Sequence, residues 1–484
     1  MAYMRDSSGR RLDSFAVAGK PGVRKAFLVL SSPNNGTTAT QDIAQRTLAR
    51  LPFGTTRWRI GFRNANLLAN GVAYTTPVAI TGIYAGAPVE DGTAFATGGR
   101  WRGNATSLSS VSGPLAVPVD GTRVWSDWIT AEPSQFAEYT SKVISWGLTA
   151  ASAGANPAIG YGDQGQMFTY AGNANASVAA PSGVAPTTRC YLDIVIEYEF
   201  AGSGQIGLVV GDSNGAGLSP TAPSLFPTAG VGQMHFESWP GAVGEMTRAA
   251  VVNLSTPSAQ ADHFSEPTKP ELWSRLTLSG VQFDFAVVAL GTNGLSSNPS
   301  TMQQGWANIV NNLTSRLRTL GIKRIYWADI PPRTLTAQRS TLAAALSAGA
   351  TSIQLATQPV FNDSQTTIVI GSDTTAEVAS VTSTTPTGTG PYTYMLTAGL
   401  ANAHASGDTV AVGTEAARLV QSAYLRQLPL SGAFVSFQRV LEESPGSATI
   451  HPHYRASDGL HFTRSAHQAL ARAVVASFAG EKIT

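Results

Sequence analysis

The sequence predicts a mixed α/β protein: an α/β domain with a parallel sheet, preceded by a β-sandwich domain and interrupted by a small inserted β module. Three observations predict it. From about residue 24 to 202, apolar residues alternate with period two between clusters of turn formers. After Gly202 apolar runs alternate with helical patterns, the order that builds parallel sheets. From 335 to 412 short strand-like runs return.

Residues 1–23 mix charge, glycine and proline and read as an N-terminal arm. The sandwich signal follows over 24–202. "TRWRIGF" sets Trp58, Ile60 and Phe62 against Arg57, Arg59 and Gly61, and "YLDIVIEYEF" aligns Leu192, Ile194, Ile196, Tyr198 and Phe200 on one face. Five of the nine tryptophans (Trp58, Trp101, Trp125, Trp128 and Trp146) lie here, and core packing takes more of them than sugar stacking.

The α/β domain is expected over 203–334 plus 413–484. "QIGLVV" and "FDFAVVAL" read as buried strands. Met302, Trp306, Ile309, Val310, Leu313, Leu317 and Leu320 form one helix face, closed by Gly321 as a cap. "KRIYWADI" is a further strand, ended by Pro331 and Pro332, and the last helix spaces Ala466, Leu470, Val474 and Phe478 by four. The intervening 335–412, with Pro332 and Arg333 at its entrance, is expected to be a self-contained β module, removable without loss of the domain.

Composition narrows the function. With 13% charged residues, a net charge of +2 and no dense Lys/Arg stripe, no nucleic-acid partner is expected. The one cysteine, Cys190, allows neither an intrachain disulfide nor a Cys/His metal cluster, and it reads as a buried strand residue. The first residues lack the apolar core of a signal peptide, and no run approaches the ~18–20 residues of a membrane span. A soluble product is expected, cytoplasmic unless another route releases it.

Chemistry concentrates in "GLVVGDSNGAG", residues 207–217. A serine becomes a nucleophile when a histidine takes its proton, a carboxylate holds that histidine, and oriented donors await the oxyanion. "SDGLHF" supplies Asp458 and His461 three residues apart in one turn-like segment. Asn293, in "GTNG" at a strand's carboxyl end, offers a side-chain amide, and Gly244 in "SWPGAVGEMT" offers a backbone N–H. His451 and His453 read as polar loop residues, and His235, His263, His404 and His467 as surface or loop histidines without a nearby acid.

Taken in chain order, "GDSN", "PGAVGEMT", "GTNG" and "DGLH", these four pieces resemble the blocks of the SGNH hydrolases, also called GDSL esterases. Asn214 stands where the older name has leucine, and Gly294 stands where an aspartate often follows the family's asparagine. "GDSNG" also fits the nucleophile elbow G-x-S-x-G, but that fold places its serine after several strands and its acid far from its histidine. The resemblance implies a three-layer α/β/α fold with a five-stranded parallel sheet, no metal or organic cofactor, and acyl transfer through an acyl-serine. Ser213 would be the nucleophile, His461 the base and Asp458 its support. The N–H groups of Ser213 and Gly244, with the Asn293 amide, would form the oxyanion hole.

"RWRIGFRNAN", "TTPVAITGIYAG" and "GTRVWSDWIT" resemble the sandwich modules of bacterial two-domain esterases, which implies an acylated, most often O-acetylated, carbohydrate as substrate. The arm and the β module resemble segments of actinobacteriophage tail proteins, which implies a virion location with tail or like-chain partners. The alternatives are a non-catalytic tail or adhesin protein using the fold as a glycan-binding scaffold, and a lipid esterase.

Overall fold

A computed structural model of the chain describes residues 22–37, 42–68, 77–89, 103–130, 135–150, 158–161, 167–181, 185–187, 189–217, 238–265, 281–294, 299–361, 366–371, 376–427 and 433–478. Of the expected arm, only Gly22 and Val23 are among them, and Trp101 and His235 lie outside them.

Antiparallel sheets come first. The strand Thr55–Arg63 pairs with Asp193–Ala201, which pairs on its other edge with Val23–Val29. Period two decides what each face meets. Trp58, Ile60, Phe62, Ile194, Ile196 and Phe200 are buried, while Arg57 pairs with Glu199 and Arg59 with Glu197 on the other face. A seven-stranded sheet, in which Asp42–Arg50, Ser141–Ala150 and Val78–Gly86 lie side by side, packs against the first. Phe62 meets Trp146 of that sheet edge-on, ring centroids 6.0 Å apart. Trp58 and Trp146 are therefore core residues, whereas Trp125 and Trp128 are half-buried under arginine guanidinium groups. Cys190 is buried in the same core.

The parallel sheet has five strands: β1 Gln205–Gly211, β2 Ala249–Asn253, β3 Phe285–Ala289, β4 Arg324–Ala328 and β5 Ala433–Val435. Their order is β2-β1-β3-β4-β5. The central strands are apolar runs because both faces are covered. The helices that matter to the site and its layers are α1 Ser213–Ala216, α2 Trp239–Thr247, α3 Pro299–Thr319, α4 Gly413–Gln427 and α5 Arg464–Phe478. Trp306, Val310, Leu313 and Leu317 of α3 and Leu425 of α4 share one core with Leu208, Val210, Ala286 and Val288. Trp239 and Val243 of α2 and Leu470 and Val474 of α5 pack on Val209, Val251 and Val287 from the other side. That makes three layers. Gly321, at φ +79°, closes α3 as the sequence predicts, its N–H bonding the Arg318 carbonyl.

The sandwich adjoins this domain directly. Arg24 bonds Asp284 (2.9 Å) and the Gln282 carbonyl (2.8 Å) just before β3, and Arg50 pairs with Glu245 of α2 at 2.9 Å. Among the described residues no helix is long and apolar enough to cross a membrane.

The inserted segment has a core of its own, including Leu342, Ile353, Ile368, Ile370, Tyr394, Val410 and Val412. Its separability, however, is corrected by the other face of its four-stranded sheet. Val369 and Ala411 pack with Ala416 and Val420 of α4. Glu415, fully buried, is held by Arg339 of the insert (2.6 Å) and Arg418 (2.6 Å), and its N–H bonds Gln338. Those guanidinium groups keep its carboxyl below the usual range despite its burial. Excising 336–412 would strip Arg339 and Gln338 from a buried charge, a change of the kind that costs several kcal/mol.

Candidate active site

In a 2-1-3-4-5 sheet the chain reverses its direction of growth between β1 and β3, and the crevice beyond their carboxyl ends is where such sheets hold ligands. β1 runs straight into that crevice. Asp212 caps the single turn α1, accepting from Asn214 N–H at 3.0 Å, which lifts Ser213 to the first helical position. Burial pushes the Asp212 carboxyl up, against the pull of its hydrogen bonds. The flanking glycines are there for close approach. A Cβ at Gly211 or Gly215 would lie 2.5 Å or 2.2 Å from the Ser255 hydroxyl, in the loop after β2. Asn253 fastens that loop to the serine's turn, donating to the Gly215 carbonyl at 3.0 Å.

The second half of the site is one tight turn before α5. Asp458 Oδ1 accepts from the N–H groups of Leu460 (3.0 Å) and His461 (2.9 Å), and Gly459 supplies the positive φ of +70°. This local wrapping is what the Asp-x-x-His spacing builds. Asp458 Oδ2 lies 2.5 Å from His461 Nδ1, and His461 Nε2 lies 2.9 Å from Ser213 Oγ. A carboxylate only accepts, so Nδ1 carries the proton and Nε2 is left to accept from the serine hydroxyl. Although desolvation opposes it, the hydrogen bonds from His461 and Leu460 hold Asp458 below its ordinary range.

Asn293 follows β3, beside the serine's strand. Its amide donates one hydrogen to the Ala259 carbonyl at 3.1 Å, and Gly294 after it takes φ +82°. The Asn-Gly pair is thus a turn as well as an amide at the crevice. A cleft of about 340 Å³ opens there, lined by Gln260, Asp262, Asn293, Trp306 and Gln421.

Gly244 is placed differently from its expected role. It is the sixth residue of α2, past the first turn whose N–H groups are free, so its own N–H belongs to the helix. It faces Phe27, Leu28 and Arg50 of the sandwich. The loop after β2 comes to the crevice instead, and in it Ser258 holds φ +66°, a conformation glycine normally fills. Nothing in the residue type of Ser258 announces this. Asn253, the last residue of β2, carries a legible signal: it is an amide closing an apolar strand.

Two histidines also differ from expectation. His404 is buried in the inserted module against Glu377 (3.1 Å) and Asp408 (3.6 Å). His467 is fully buried on α5, with its ring edge-on to Phe462, and its Nδ1 accepts from Trp239 N–H at 3.2 Å, at the start of α2. Burial holds it neutral, its pKa lowered from 6.5 to about 3. The unfolded chain therefore binds a proton that the native chain refuses. This contribution to stability is complete above the ordinary value and is lost progressively as pH falls from 6.5 to about 3. Wild type should lose up to ~1.4 kcal/mol more per pH unit than His467→Gln over that window. Urea titrations at several pH values measure it; parallel slopes for the two proteins would contradict the assignment.

No protein-family model and no curated protein sequence matches the chain. Solved structures do. A family two carbohydrate esterase from Cellvibrio japonicus is 11% identical, covering 94% of this chain and 97% of its own, with a TM-score of 0.29. A family two carbohydrate esterase from Clostridium thermocellum, in complex with cellohexaose, is 12% identical over 93% of this chain and 97% of its own, with a TM-score of 0.31. A lipolytic protein of the G-D-S-L family from Desulfitobacterium hafniense is 11% identical over 57% of this chain and 99% of its own, with a TM-score of 0.30.

Proposed function

We propose that the protein is a serine esterase acting on acyl esters of a carbohydrate, with Ser213, His461 and Asp458 as one catalytic unit. The observation that carries the reading is the continuous chain from Ser213 Oγ through both ring nitrogens of His461 to Asp458. Each contact has the polarity that base-assisted attack needs.

The mechanism follows from those polarities. Ser213 Oγ attacks the ester carbonyl while its proton passes to His461 Nε2. The imidazolium that forms is stabilised by Asp458, already ionised and held by its own N–H donors. The oxyanion collects at the Ser213 N–H, the first of α1, with the Asn293 amide held in place by the Ala259 carbonyl. His461 returns the proton to the departing alcohol, and water repeats the sequence on the acyl-serine to release the acid.

A hydroxylated rather than an aliphatic substrate suits the cleft beside Asn293. Gln260, Asp262 and Gln421 put polar side chains into its wall, and Trp306 contributes an aromatic one. The test is a screen of the purified chain against short-chain and long-chain 4-nitrophenyl esters and O-acetylated polysaccharides, with Ser213→Ala as control. Serine-dependent release of acetate from polysaccharide, with a fall in rate as the acyl chain lengthens, supports the reading. Activity confined to long-chain esters would replace it with lipid hydrolysis, and no serine-dependent hydrolysis would remove it.

A further inference from the structure

Among the described residues, one cation at the rim of the site has no counter-ion. Arg333 follows β4 by five residues, in the turn opened by the buried Pro331 and Pro332. Its Nη1 donates to the Thr292 carbonyl at 2.9 Å, one residue before Asn293. That leaves four of the five guanidinium N–H groups of an arginine without a partner among the described residues. No carboxylate there lies within ion-pair distance of it, although the side chain is half-buried.

The two acids whose fields reach Arg333 are Asp212 and Glu415, and they offset only part of what burial does against its charge. Both are engaged elsewhere. Glu415 is taken by Arg339 and Arg418, and Asp212 is buried and caps α1. A half-buried, under-solvated guanidinium with spare parallel donors is the usual receptor for a planar carboxylate.

Its backbone is fixed for the purpose. Thr334, next in the chain, is held at φ +56° and bonds the Ala448 carbonyl at 3.0 Å. A Cβ on Gly459, in the Asp458–His461 turn, would lie 3.4 Å from the Thr334 side chain. Arg333 is thus braced between the segment carrying Asn293 and the segment carrying the acid and base, and its charge couples to the residue preceding the serine.

We propose that Arg333 binds a carboxylate of the substrate, so that the ester the enzyme prefers is an acidic one. The proposal rests on the esterase reading. The carboxylate has two chemical sources: a uronate residue of the glycan, on the alcohol side of the ester, or a dicarboxylic acyl group esterified through one end. Arg333 acts in either case as a specificity residue, orienting the substrate rather than taking part in bond making.

The test compares wild type, Arg333→Gln and Arg333→Lys on paired substrates. 4-Nitrophenyl hemisuccinate against 4-nitrophenyl acetate probes the acyl side, and O-acetylated polygalacturonate against O-acetylated xylan probes the alcohol side. Wild type is expected to favour the acidic member of one pair, and the pair identifies the source. In Arg333→Gln the acidic-to-neutral ratio of kcat/KM should fall about 10–100-fold, the worth of hydrogen bonds to a charged group. Most of the fall should appear in KM, and Arg333→Lys should restore part of the ratio. Separately, succinate or digalacturonate should bind Ser213→Ala in calorimetry, lose that binding when Arg333→Gln is added, and keep part of it when Arg333→Lys is added instead. An unchanged ratio in both pairs, or carboxylate binding that is absent or indifferent to Arg333, overturns the proposal. Because the binding arm needs no turnover, a failure of the esterase reading would show as absent hydrolysis of every ester, whatever calorimetry reads.

Discussion

Ser213→Ala is expected to lower ester turnover by at least about 10⁴-fold while leaving the unfolding midpoint within experimental error. The hydroxyl is the only group removed, and its partner is a ring nitrogen that keeps its support from Asp458. His461→Ala should cost about as much, and the double variant little more, because a nucleophile without its base is nearly as idle as no nucleophile. Asp458→Asn is expected to fall on the order of 10⁴-fold, since an amide at that position favours the wrong tautomer of His461. Single-turnover and steady-state rates on an aryl ester check all four proteins. Losses that simply multiply in the double variant would mean that the two residues act separately.

Asn293→Ala carries the next largest effect, an expected loss of roughly 10²–10³-fold in kcat with little change in KM. The amide is pinned by one hydrogen to the Ala259 carbonyl, so its second hydrogen has a fixed direction and no reorganisation is needed as charge develops. Such a donor stabilises the tetrahedral oxyanion more than the ground-state carbonyl. Losing it should therefore slow the chemical step rather than weaken substrate binding. Measured kcat and KM for a good and a poor leaving group decide this. A rise in KM at constant kcat would place Asn293 in ground-state binding, and no change in either would leave it a turn residue.

What could be read from the sequence is what chain neighbours determine. The strands were legible because burial on both faces leaves an apolar run, as in Ile206–Val210 within Gln205–Gly211, and burial on one face leaves alternation, as in Thr55–Arg63. Asp458 and His461 were legible as a pair because three residues of one turn bring both together. Gly244 was misread because a glycine lying between the serine and the asparagine in sequence says nothing about its place relative to the strands. It precedes β2, and the loop that reaches the crevice follows β2. There the left-handed residue is Ser258, whose identity gives no sign of it. His467 escaped because α5 is covered over a wide face, with Ala466, Leu470 and Val474 on it but also His467 and Ala471. Arg333 could be placed at the insert's entrance from sequence, but that no carboxylate among the described residues pairs with it is a property of the folded chain alone. The same holds for Glu415, which Arg418 meets from three residues on in α4 but Arg339 reaches only from the far end of the inserted module.

Ser213 is expected to carry the acyl group between the two halves of the reaction, and rapid-quench mass spectrometry of the chain mixed with 4-nitrophenyl acetate tests this most directly. The expected result is a burst of 4-nitrophenol matched by one acetyl group per chain, mapped to the peptide containing Ser213 and absent from His461→Ala. Hydrolysis at full rate with no acetyl group on that peptide, or with the group on another residue, would contradict it.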